Sequence, residues 1–200
     1  MYGTPHMILP TRLLSALVRV MAAFRASDSS WDRIAMPVPA TAFGPGSRRP
    51  FADYFEGESR VHVRTVDDIV EWLQGCEYVS DPELFHERDY WQHPGAFEQI
   101  RHGDCEDFAL WTWRKLDEIG IDAEFYVGRV FCGDGERPHR HHAWVVYRVD
   151  ETEFLFEPAA RDRQQMIRPL ADVKSVYIPH FAVNRHLVTC AFVGCTLASL

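Results

Sequence analysis

The chain has 200 residues, 46% of them hydrophobic and 13% aromatic, which is enough apolar material for one domain with a sizeable core. A formal net charge of −8, with no basic cluster larger than Arg48-Arg49, argues against nucleic acid as a partner. The five cysteines (Cys76, Cys105, Cys132, Cys190, Cys195) are odd in number and form no CxxC pair, so they read as free thiols of a reducing compartment, the cytoplasm, rather than as a disulfide framework.

Leu13 to Phe24 is the first apolar run. Arginines at 12, 19 and 25 leave it too short to span a bilayer, so it reads as an amphipathic helix that packs on the domain or contacts a partner or membrane surface. Ser27 to Pro50 is rich in Ser, Pro, Ala and Gly, including Gly44-Pro45-Gly46, and reads as a linker or an arm draped over the surface. Residues 1–50 are therefore expected to be a helix and arm, and residues 51–200 the domain. Thr65 and two early acids precede Ile69, Val70, Trp72 and Leu73, which predicts a capped helix stopping at Gly75. Asp81 to Gly103 reads as irregular, aromatic and interrupted by proline.

Asp104 is a candidate N-cap for a helix whose apolar surface is Phe108, Leu110, Trp111, Trp113, Leu116 and Ile119, and which ends at Gly120. Ala123 to Phe131, His142 to Val149 and Glu153 to Phe156 then read as strands, with Gly133-Asp134-Gly135 as a turn between the first two. Helix followed by an antiparallel meander predicts an α+β domain. Leu187 to Leu200 is apolar and reads either as a closing strand or as an exposed tail.

Chemistry concentrates in Gly103-Asp104-Cys105-Glu106-Asp107-Phe108-Ala109, which puts Cys105 in the first turn of the predicted helix. Unpaired N–H groups and the positive end of the helix dipole favour a thiolate there, whereas Asp104, Glu106 and Asp107 oppose it. An imidazolium partner is needed for the thiolate to win. His142, at the start of an apolar strand, is the candidate, with His141 on the opposite face. Glu157 closes the next strand, where a carboxylate fixes the imidazole; Asp150, Glu151 and Glu153 are nearby competitors.

These segments, with Gly120-Ile121-Asp122-Ala123, Val127-Gly128, His142-Ala143-Trp144-Val145 and Glu157-Pro158, resemble the transglutaminase-like superfamily, close to the bacterial transglutaminase-like cysteine peptidases. The likeness covers roughly residues 60 to 180 and implies a papain-like core. It implies Cys105 as nucleophile, His142 as general base, and Glu157 where relatives often carry aspartate before proline. It also implies an oxyanion-hole glutamine shortly before the nucleophile, for which Gln99, Gln92 and Trp91 are the alternatives. The activity implied is acyl transfer on a protein or peptide: hydrolysis if water is the acceptor, transamidation if an amine is. No cofactor is required by that chemistry, and calcium held by Asp104, Glu106 and Asp107 is the regulator that relatives suggest.

Two other classes of function compete. His139, His141 and His142, completed by Cys105 or the flanking carboxylates, have ligand chemistry suited to zinc, although no HExxH or paired CxxC spacing supports a site. A non-catalytic domain would use the same cleft to bind peptide.

Overall fold

The computed structural model describes residues 29–131 and 140–193. Seven strands run in the spatial order β1-β9-β8-β4-β5-β6-β7. These are β1 (Arg33–Ile34), β4 (Asp122–Val130), β5 (Arg140–Val149), β6 (Thr152–Phe156), β7 (Ile167–Pro169), β8 (Tyr177–Asn184) and β9 (Thr189–Phe192). Every neighbouring pair is antiparallel. A separate parallel pair joins β2 (Glu77–Tyr78) to β3 (His102–Gly103). The helices are α1 (Val66–Gln74), α2 (Asp81–Leu84), α3 (Pro94–Ile100), α4 (Cys105–Glu118), α5 (Arg163–Met166) and α6 (Leu170–Val173). The domain is α+β, with Cys105 opening a helix that is packed on an antiparallel sheet.

Alternation along the strands sorts the core into two layers. Phe125, Val127, Ala143, Val145, Tyr147, Phe156 and Phe181 share a cluster with Phe108, Leu110, Trp111 and Trp113 of α4. The intervening residues Tyr126, Trp144, Val146, Leu155 and Ala182 point to the other face and meet Leu170, Val173, Tyr177 and Phe192. Both faces are therefore covered, which explains why the central strands read as nearly continuous apolar runs.

Local chemistry accounts for the helix ends. Thr65 accepts from the Asp68 N–H at 3.1 Å while the Asp68 carboxylate accepts from the Thr65 N–H at 3.0 Å, a reciprocal box at the start of α1. Helix α4 stops before Gly120, whose φ of +77° glycine adopts without a Cβ penalty. The stretch from Asp81 to Gly103, expected to be irregular, holds α2, α3 and β3. Its prolines fall in the first turns of α2 and α3, where the missing N–H costs nothing, so they start helices instead of interrupting them.

The Ser- and Pro-rich segment before residue 50 is integrated into the fold where it is described. Arg33 and Ile34 pair with Phe192 and Ala191 at the sheet edge. Val38 and Phe43 are buried, and Phe43 meets Phe51 edge-on with centroids 4.7 Å apart. The apolar run from Leu13 to Phe24, the turn at 133–135 and the last residues of the C-terminal segment lie outside the described residues. Within that last segment, Thr189–Phe192 forms β9, the closing strand of the two alternatives.

A buried ion pair anchors the last turn of α4. Lys115 is fully buried, with its Nζ 2.7 Å from Glu98 Oε1, and it also donates to the Val61 carbonyl at 2.6 Å. Glu98 in turn accepts from Trp111 Nε1 at 3.0 Å and the Arg60 N–H at 2.7 Å. Removing one charge strands the other in a dry site. Lys115→Met is expected to cost about 3–5 kcal/mol of stability, read from the shift of the urea midpoint; a loss below about 1 kcal/mol would show the pair to be incidental.

Candidate active site

Cys105 is the first residue of α4 and is partly exposed at the floor of a 620 Å³ cleft. The cleft is also lined by His142, His141, His180, Trp91 and the acidic residues Asp81, Asp89, Asp104 and Glu106. Its outer wall includes Thr41 to Pro45, so the N-terminal arm contributes to the site. Gly46 of this arm donates its N–H to Asp89 Oδ2 at 2.8 Å, and an added Cβ there would stand 2.7 Å from Trp91 Cδ1. Only glycine allows that approach.

Helix α4 begins where it does because Asp107 ties down the loop ahead of it. Its buried carboxylate accepts from the backbone N–H of Gln92 at 2.8 Å, from the Asp104 N–H at 3.3 Å, and from the Gln92 amide. A Cβ on Gly103 would fall 2.7 Å from Gln92 Nε2, so the neighbouring chain must be bare there. The result is a rigid turn that delivers the thiol to the cleft.

His142 stands near the start of β5, opposite Gly128 of β4. Its Nε2 lies 2.7 Å from Glu157 Oε2, and its ring stacks on Trp144 at an interplanar angle of 25°. That contact occupies Nε2, one of the two ring nitrogens. Trp144 belongs to the layer facing away from α4, so His142 reaches the cleft as the end residue of that face. His141, expected to face away from the cleft, lines it as well, because its phase along β5 is that of Ala143 in the layer against α4; its ring lies 6.3 Å from that of His180. His180 is the extra residue of an irregularity in β8, where the partner of Val127 is Phe181 and that of Gly128 is Pro179. Of the competing carboxylates, Glu153 pairs with Arg148 at 3.0 Å, far along the strand from His142.

The three oxyanion candidates have separate surroundings. Gln99 is exposed and donates to the Gly95 carbonyl at 3.1 Å, outside the cleft lining. Gln92 is buried, with its amide committed to Asp107 and to the His102 carbonyl. Trp91 lines the cleft, but its Nε1 donates to Asp89 Oδ1 at 2.9 Å.

Electrostatically the resting site favours a neutral thiol. Burial pushes the Cys105 thiol well above its usual range, and the Glu106 and Asp104 carboxylates push the same way. The Ala143 backbone N–H opposes them, and Cys105 Sγ lies 3.3 Å from Glu106 Oε2. Burial likewise drives the Glu106 and Asp107 carboxyls well above the usual carboxylate range. Asp81 is raised to about 6, chiefly by burial and in part by the Asp104 charge, against the Tyr90 N–H that donates to it at 2.6 Å.

The acidic cluster is larger than the Asp104, Glu106 and Asp107 read from sequence, because Asp81 and Asp89 join it. Oxygens of Asp81, Asp89 and Glu106 lie within 4.8 Å of one another, as do those of Asp81, Asp104 and Asp107. Asp81 Oδ1 and Asp104 Oδ1 are buried without a hydrogen-bond partner. Hard oxygens left unpaired in this way fit a hard divalent cation such as calcium. Among the described residues no such cluster contains a histidine, and His139 lies outside them. The zinc reading has no support there. Cys76, Cys105 and Cys190 are free thiols. No described helix is long and apolar enough to cross a membrane.

No family model and no curated relative matches the chain. Among solved structures, EGTA-treated Legionella pneumophila LapG is 15% identical with a TM-score of 0.45, over 89% of this chain and 83% of that one. Its calcium-bound form is 17% identical with a TM-score of 0.43, over 86% and 84%. A candidate cysteine protease from Cytophaga hutchinsonii is 15% identical with a TM-score of 0.38, over 79% and 54%. At these values the likenesses assign neither activity nor ligand to the chain.

The Asp81 carboxyl yields a signed expectation. Its folded value of about 6 against an ordinary 3.8 means that the folded state holds the proton more tightly between those limits, so stability falls as pH rises through the window. In chelator, Asp81→Asn should raise stability at pH 8 by on the order of 1–2 kcal/mol, with the gain vanishing below about pH 4. A gain of equal size at pH 4 and pH 8 in urea titrations would contradict this.

Proposed function

We propose that the protein is a thiol-dependent acyl-transfer enzyme, a cysteine peptidase or amidase, using Cys105, His142 and Glu157. The observation that carries this reading is the pairing of His142 Nε2 with Glu157 Oε2 beside a cleft that Cys105 lines from the start of α4. In this reading helix α4, strand β5 and the residue after β6 supply a nucleophile, a base and an orienting carboxylate.

In this mechanism His142 Nδ1 takes the thiol proton and the Cys105 sulfur forms a bond to the substrate carbonyl carbon. The Cys105 N–H, which has no intrahelical acceptor at the first helical position, faces the developing oxyanion. The C–N bond then breaks, the imidazolium gives its proton to the leaving amine, and a thioester remains on Cys105. Water, deprotonated by His142, attacks the thioester and releases the acid and the thiol. An amine in place of water would give transamidation, the runner-up outcome at the same step. Glu157 keeps its carboxylate against Nε2 throughout, fixing the tautomer and stabilising the imidazolium.

Calcium fits the same reading through Asp81, Asp89, Asp104, Glu106 and Asp107. When bound there it supplies positive charge that offsets the carboxylates opposing the Cys105 thiolate. This extends the expected regulator set by two residues.

Cys105→Ala is expected to abolish cleavage of a proteome-derived peptide library, followed by mass spectrometry, without unfolding the protein. His142→Ala should lower turnover by about 10²–10⁴ and slow iodoacetamide alkylation near neutral pH. Glu157→Asp should retain more turnover than Glu157→Gln. Full cleavage by the alanine variant at Cys105 would sink the reading. Adding calcium to chelator-treated protein should raise the melting temperature and speed alkylation of Cys105, whereas an unchanged melting temperature and rate would remove calcium from the account.

A further inference from the structure

Behind Glu157 lies a second polar group that the triad reading does not use. Tyr177, the first residue of β8, is buried, and its hydroxyl is 2.9 Å from the same Glu157 Oε2 that meets His142. Arg168 of β7 donates from Nη2 to the Tyr177 hydroxyl at 2.9 Å, with its guanidinium 5.8 Å from the phenol ring centroid. An arginine carries donors only, so the Tyr177 proton cannot point back at it and must go to the carboxylate. The relay has one direction: Arg168 donates to Tyr177, Tyr177 to Glu157, and His142 to Glu157.

The surrounding structure keeps the phenol from moving. Tyr177 meets Trp144 edge-on at 5.2 Å, and its carbonyl accepts from Trp31 Nε1 at 3.0 Å. The Glu157 backbone is held in turn by its N–H to the Met166 carbonyl at 2.7 Å. Glutamate has one more rotatable bond than aspartate, so a single bond to histidine would leave its carboxylate several orientations. A second donor on the same oxygen removes that freedom.

We propose that Tyr177, backed by Arg168, is a positioning residue that locks the Glu157 carboxylate in the orientation needed to hold His142. This rests on the triad reading above. The phenol acts through Glu157 and touches no reacting atom, so its effect should exist only while Glu157 is a carboxylate.

The test is a double-mutant cycle on Cys105 alkylation by iodoacetamide, with Tyr177→Phe placed in the wild-type and the Glu157→Gln backgrounds. The expected result is a slowing of about five- to tenfold in wild type, less than the full worth of one hydrogen bond to a charged group because the effect reaches the thiol through Glu157 and His142, and less than twofold in Glu157→Gln. Histidine-selective 15N spectra should show the Nε2–H tautomer of His142 losing population in Tyr177→Phe. Equal slowing in both backgrounds, or an unchanged rate and tautomer, overturns the proposal. If Tyr177→Phe does not fold, Arg168→Met in the same two backgrounds replaces it, with about threefold slowing expected only where Glu157 is present. His142→Ala separates the two levels: a rate equal to wild type overturns the triad reading and this proposal with it. A slower His142→Ala beside an unaffected Tyr177→Phe overturns the proposal alone.

Discussion

The Asp107 carboxylate is the constraint on which the rest of the site depends. It lies buried in the first turn of α4 and gathers the Gln92 backbone, the Gln92 side chain and the Asp104 N–H onto one group. The loop before Cys105 and the helix after it are thereby a single rigid piece. Remove that contact and the helix start loses its alignment with β5, whose Ala143 N–H faces the sulfur. The sheet contributes the other half. Strand pairing sets Gly128 opposite His142, and Glu157 directly follows the last paired residue of β6, so the imidazole and its carboxylate inherit their spacing from backbone geometry.

Position and electrostatics pull in different directions at this site. The helix start favours an anion on Cys105, yet Asp104, Glu106 and burial all favour the thiol. Burial first, and the neighbouring carboxylates second, raise the Asp81, Glu106 and Asp107 carboxyls beside this helix terminus. A hard divalent ion held by these acids would relieve their mutual repulsion and favour the thiolate. Asp81 Oδ1 and Asp104 Oδ1 are the oxygens of this group that are buried without a hydrogen-bond partner.

Local signals were the most legible part of the sequence. The Thr65 box, the helix opening at Cys105, the stop at Gly120 and the three strands of the meander each follow from residues adjacent in the chain. Pairing of His142 with Glu157 was readable from strand order, because both sit at the same end of adjacent strands. Asp81 and Asp89 could not be assigned to the acidic cluster, since only the fold of the 81–103 region brings them to α4. The same holds for Tyr177 and Arg168, which reach Glu157 across β6, β7 and β8. Gln92 and Gln99 differ in the fold and not in sequence: one is buried against Asp107 and the other exposed on α3. Prolines misled the reading of 81–103, where residue type suggested interruption and position made them helix starters.

If Cys105 is activated by its partners in the cleft, it reacts ahead of the other cysteines. Intact-mass and peptide-mapping spectrometry after brief exposure to a peptidyl vinyl sulfone, an electrophile that depends on an activated thiolate, tests it most directly. The account predicts a single adduct on Cys105 in the wild-type protein, and none on Cys105 when His142 is replaced by alanine. Adducts spread over the other cysteines, or an equal adduct on Cys105 without His142, would contradict it.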